Sequence, residues 1–211
     1  MQFNTGDLLV KRSLKPNLLS LSIRAAVGSD HEHDELIRVT KTLDTFCGLA
    51  TIPHFHYIPL QDRIDQYNRK EIAFAVYRWT YFCAPGHSDS DFYKTWKVCV
   101  GASLDTMSEL KIPYDKYEVL AIGRNVIRSK IPLLGGIIKQ KEHRVYCTES
   151  CQVAYNVAGT YPFRPLGYQP YVAPVHVERL IKMGAFTLIA DFGFHEKYMI
   201  GGKDDTGGCD S

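Results

Sequence analysis

The chain has 211 residues, a formal net charge of +2 and a hydrophobic share of 45%. That length suits one domain with a sizeable core, and the weak charge argues against nucleic acid or an acidic membrane surface as partner. No apolar run is long enough to span a bilayer, and the opening Met1-Gln2-Phe3-Asn4 lacks the basic and apolar segments of a signal peptide.

In chain order, residues 3–11 read as a turn and then a strand, and 17–27 suit a short helix ended by Gly28. The run from Ser29 to Glu35 is polar and becomes a strand at Leu36. Residues 44–51 read as a turn around Gly48, followed by a strand at His54–Ile58, an amphipathic helix over 61–69 and a strand over 71–78. Strands following one another with little helix between them imply an antiparallel sheet. Ala84 to Asp91 is a loop with an N-cap signal, and a helix from about 91 to 103 follows. A turn at 112–115, a helix over 116–130 and a mobile loop over 130–141 around Pro132 and Gly135-Gly136 come next. Residues 160–174 read as extended, Pro174 starts a helix over 175–183, 185–190 closes as a strand, and 201–211 has the composition of a disordered tail.

The six cysteines, Cys47, Cys83, Cys99, Cys147, Cys151 and Cys209, are scattered without zinc-finger spacing. Without a secretion signal, free thiols in a reducing compartment, cytoplasmic or virion-associated, are the expectation. Cys209 is third from the end, which does not fit a prenylation box.

Cys147 carries the chemical signal. Val145-Tyr146 runs into Cys147-Thr148-Glu149-Ser150, and Val153, Ala154, Val157 and Ala158 recur at helical spacing up to Gly159. A thiol at a helix N-terminus feels the positive end of the macrodipole, and first-turn N–H groups can hold an oxyanion. The alternative is that Cys147 and Cys151, four apart, are small core residues. Two further pairs, His31/His33 and His54/His56, would each face one side of a strand, which is the geometry of some metal sites; the competing reading is solvent-facing histidines in a polar loop.

Taken together, these segments resemble the circularly permuted branch of the NlpC-type, papain-like cysteine peptidases, the YiiX-like group. The likeness spans about residues 5–190. It rests on Gly6-Asp7-Leu8-Leu9, Ser29-Asp30-His31-Glu32-His33, Pro59-Leu60, Val76-Tyr77-Arg78, Pro113-Tyr114-Asp115, Tyr146-Cys147-Thr148-Glu149, Ala158-Gly159 and Pro174, in that order. The resemblance implies an α+β, papain-like domain over 1–200, with 82–112 as an insertion that could line a groove. It implies Cys147 as nucleophile, His33 as base and Tyr114 as an aid to the oxyanion. The family's orienting glutamate falls at Ala50-Thr51, where neither residue is a carboxylate. Thr51, Asp44 or His54 could substitute, with Thr51 favoured by position.

The expected activity is that of a cysteine hydrolase or acyltransferase on a peptide or lipid-like amide or ester. No cofactor and no metal are required. The alternatives are a catalytically inactive structural or binding module of the same fold, for example a virion or assembly component, and a His-rich metal-binding protein.

Overall fold

The computed structural model describes residues 2–16, 21, 24, 29, 31–115, 146–166 and 172–195. The expectations for Gly28, for the helix at 116–130, the loop at 130–141 and the tail at 201–211 lie outside the described residues, as does the 17–27 helix apart from Leu21 and Arg24. The elements in order are β1 (Leu8–Ser13), β2 (His33–Val39), β3 (Thr45–Ala50), β4 (Phe55–Pro59), α1 (Leu60–Asn68), β5 (Ile72–Trp79), α2 (Asp91–Glu109), α3 (Cys147–Val157), α4 (Pro174–Lys182) and β6 (Phe186–Phe192). Short 3-10 turns occupy Thr80–Cys83 and Arg164–Leu166.

The six strands form one antiparallel sheet in the order β4-β3-β2-β1-β5-β6. Alternation along each strand sends successive side chains to opposite faces. Leu8, Val10, Leu36, Ala75 and Tyr77 face the larger core with Trp96, Val100, Leu104, Cys151, Ala154, Tyr155, Val177 and Leu180 of α2, α3 and α4. Leu9, Ile37, Cys47, Phe74 and Val76 face a smaller core closed by Leu60, Ile64 and Tyr67 of α1. Segment 82–112 thus supplies α2, whose buried face is part of the larger core.

Two motifs noted in the sequence meet here. The Asp7 carboxylate accepts from Arg78 Nε at 2.8 Å and from its second guanidinium nitrogen at 2.9 Å, tying the start of β1 to the end of β5. Gly6 before it has φ +91°, and a Cβ there would lie 2.4 Å from the Trp96 ring. Only glycine fits that backbone and that gap.

Four segments differ from the sequence reading. Residues 45–50 form β3 rather than a turn. Gly48 stands between Leu36 and Tyr57 in the ladder, and a Cβ on it would meet the Phe55 ring at 2.8 Å, so the glycine serves close packing and not a bend. Strand β2 begins at His33, three residues before Leu36, because Asp34 and Glu35 are buried with partners of their own. Helix α2 runs on to Glu109, past 103; its N-terminus is capped as expected, with Ser90 Oγ accepting from Tyr93 N at 3.1 Å. Residues 160–174 are not extended throughout, since Arg164–Leu166 makes a 3-10 turn. Gly159, with φ +73°, ends α3 where the cap was expected.

Candidate active site at the head of helix α3

Helix α3 opens directly on Cys147, with Tyr146 in extended conformation before it and no side chain capping the turn. The first intrahelical bond is Ser150 N to Tyr146 O, at 2.9 Å. Cys147 is buried, packed with Tyr146 and Ala173 and touched by Tyr114 and Val175. Cys151, one turn on, belongs to the larger core. The two cysteines therefore have different surroundings: Cys151 is core, and Cys147 heads the helix.

The reason Cys147 meets β2 lies in the ladder. Within β2, Ile37 N donates to Asp7 O, and the N–H groups alternate from there, so that of Asp34, three residues earlier, points toward β3. The β2–β3 pairing ends at Leu36↔Gly48, one pair short of Asp34. The Asp34 N–H is then left facing the Cys147 thiol, where it and the Thr148 N–H and hydroxyl, the last at 3.8 Å from the sulfur, favour the thiolate. Burial, reinforced by the Asp34 carboxylate, pushes the Cys147 thiol up to about 11, against these donors. Burial beside Cys147 also pushes the Tyr114 hydroxyl up, so it remains a neutral donor.

His33 is the residue before that N–H donor. It pairs with Lys11 across β1 and faces the α1 side with Glu35. Its Nε2 stands 3.6 Å from Glu35 Oε1, within ion-pair reach but too long for a hydrogen bond. Glu35 is fully buried, bound by Arg63 through Nε at 3.0 Å and by a second guanidinium nitrogen at 2.5 Å, with Lys11 Nζ at 3.6 Å. Burial alone would raise the Glu35 carboxyl, but Arg63, Lys11 and His33 outweigh it and hold it at about 2. For His33, burial and the Lys11 charge lower the imidazole to about 3, leaving it neutral.

The polar group at His33 is therefore Glu35, on β2 itself. Thr51 follows β3; the β2–β3 register continued past its last pair would set it opposite His33, but its hydroxyl makes no hydrogen bond among the described residues. Asp44 lies in the β2–β3 hairpin, accepting from Thr42 Oγ1 at 2.6 Å, roughly 20 Å along β2 from His33. His54 bonds through Nδ1 to the carbonyl of Phe55 at 2.9 Å and bridges to Pro113, beside Tyr114. The sequence reading missed Glu35; the signal available was the His-x-Glu spacing, which on a strand puts both side chains on one face.

The two histidine pairs part company as well. His31 precedes the strand, and its Nε2 lies 2.5 Å from Asp34 Oδ1 and 3.2 Å from the His33 carbonyl, on the opposite side from His33's own partners. His54 and His56 share a side, their rings 6.0 Å apart and edge to face. Among the described residues no group of three or more His, Cys, Asp or Glu side chains is placed to hold a metal ion, and no helix is long and apolar enough to cross a membrane.

No protein-family profile matches the sequence, and no curated protein matches it. Among solved structures, the crystal structure titled metalloprotein yiiX, from Escherichia coli O157:H7, is similar with a TM-score of 0.55 at 14% identity, over 90% of this chain and 98% of that one. At that identity the likeness is one of fold: the chain shares a YiiX-like α+β architecture across nearly its whole length.

Proposed function

We propose that the chain is a papain-like cysteine acyl-transfer enzyme whose nucleophile is Cys147. The observation that carries this reading is the seat of the sulfur: it heads helix α3 and lies against Asp34 of β2, the residue that follows His33 in the chain. In this mechanism His33, neutral at rest and without a hydrogen bond to the sulfur among the described residues, takes the thiol proton as the sulfur bonds to the substrate carbonyl carbon. The carbonyl electrons move onto oxygen, where the Cys147 N–H and the Tyr114 hydroxyl stabilise them. Collapse breaks the bond to the amine or alkoxide, which leaves with the proton from His33. Water or another acceptor then attacks the thioester and frees Cys147. Glu35 acts through His33, holding the ring on its face of β2. The substrate class is a peptide or lipid-like amide or ester.

The test is acylation by p-nitrophenyl acetate, read by release of p-nitrophenolate and by peptide mass. The acetyl group is expected on Cys147, with none formed by Cys147→Ala and a rate lowered by about 10²- to 10⁴-fold in His33→Gln. Equal acetylation of Cys83, which is exposed, or of Cys99 would overturn the proposal.

A second reading is a binding module that kept the fold without the chemistry. It is favoured by the thiol pushed up to about 11 and the imidazole lowered to about 3, which make proton transfer uphill in the resting state. That reading predicts no acyl-Cys147 at any pH.

A further inference from the structure

On the larger-core side of the sheet, away from Cys147, a cavity of about 230 Å³ lies between β1, α4 and the residues after β6. It exceeds the roughly 150 Å³ that accommodates benzene in an apolar cavity. Its apolar walls are Val10, Ile181 and Phe194, and Arg12, His31 and Glu178 supply charge. Asp34 separates it from the thiol, taking the Thr148 hydroxyl at 2.5 Å on one side and His31 on the other.

Arg12 is the unusual group. Only 8% of it is exposed, yet it has no acidic partner among the described residues. One guanidinium nitrogen donates to the Gly193 carbonyl at 3.1 Å, the guanidinium carbon lies 5.7 Å from the Phe194 ring centre, and Nε has no hydrogen-bond partner. A buried guanidinium with an unused donor is costly unless something satisfies it. The one carboxylate on the wall, Glu178, is already engaged, accepting from Ser29 Oγ at 2.6 Å and from Lys182 Nζ at 2.6 Å. The neighbouring His195 is held by the Tyr77 hydroxyl and Asp191, each at 2.9 Å.

We propose that this cavity is a binding site for a small carboxylate with an apolar body, its anion received by Arg12 and its body lying against Val10, Ile181 and Phe194. The charge-assisted pair supplies orientation, and the apolar walls supply most of the affinity. The site is distinct from the thiol, and its occupancy does not depend on acyl transfer.

The experiment titrates the full-length chain with hexanoate, hexan-1-ol and hexylamine, following ¹³C-methyl signals of Val10 and Ile181. Hexanoate is expected to bind saturably, at least about ten-fold tighter than the alcohol, with the amine weakest. Arg12→Met should erase the preference for hexanoate over the alcohol, and Arg12→Lys should keep part of it. Ile181→Phe, which fills the cavity and leaves Arg12 in place, should weaken hexanoate about ten-fold whatever becomes of the Arg12 variants. No saturable binding of hexanoate up to about 10 mM, equal binding of the alcohol, or an unaffected Ile181→Phe protein would each overturn the proposal.

Discussion

His31 and His33 are two residues apart, both buried, and their surroundings drive them in opposite directions. His33 faces the α1 side, where Lys11 and Arg63 accompany Glu35; burial and the Lys11 charge lower its imidazole to about 3. His31 faces the α4 side, where burial also works against the charged form, but Asp34, with help from Glu178, overcomes it and raises the imidazole above its ordinary value. The lesson is that burial alone does not set a histidine's charge. The sign of the second neighbour does: cations around Glu35 absorb its field, whereas Asp34 gives its field largely to His31.

The largest effect on this contrast should come from Glu35→Gln. It leaves Arg63 and Lys11 buried without their anion, and unfolding stability in urea at pH 7 should fall by about 3–5 kcal/mol. A loss below about 1 kcal/mol would mean that water, not Glu35, neutralises the pair.

The next is the pH profile. His33, lowered from 6.5 to about 3, takes its proton in the unfolded chain first, so the native state loses stability as pH falls through that window. The loss is on the order of 4 kcal/mol at the acid end. His31, raised above 6.5, holds its proton longer in the native state, so its contribution is complete below 6.5 and is lost as pH rises through its folded value. Stability should therefore peak near the ordinary histidine value. His33→Gln should flatten the acid arm and His31→Gln the alkaline arm, read as urea midpoints from pH 4 to 9. If either substitution flattens the other arm, the assignment of the two rings is reversed.

The smallest effect should come from Thr148→Val, which removes the hydroxyl donated to Asp34 at 2.5 Å. A cost of about 2 kcal/mol is expected for a buried bond to a carboxylate, with the alkaline arm retained because His31 still faces Asp34. If the alkaline arm vanishes with it, Thr148 and His31 share one network rather than two contacts.

Much of the architecture could be read from local pattern. The antiparallel order of strands, the Ser90 cap, the Pro174 start of α4 and the end of α3 at Gly159 are written in short stretches, because turn, cap and alternation rules act over a few residues. The head of α3 was legible for the same reason: a β-type run, a cysteine and a polar first turn.

What escaped the sequence reading depended on residues far apart. Gly48 looked like a turn glycine; its role is set by the Phe55 and Tyr57 rings that cover it. Asp34 and Glu35 looked like loop residues; they enter β2 because Thr148, His31, Arg63 and Lys11 surround them.

Sequence alone thus determined that Cys147 opens a helix and where helices and most strands begin, since those depend on neighbours a turn or a pleat away. Tertiary structure decided which carboxylate each histidine meets, and left Arg12 beside a cavity with a donor unused. Both depend on the face to which each side chain of one strand is turned and on what the opposite elements bring to that face, which no local pattern encodes.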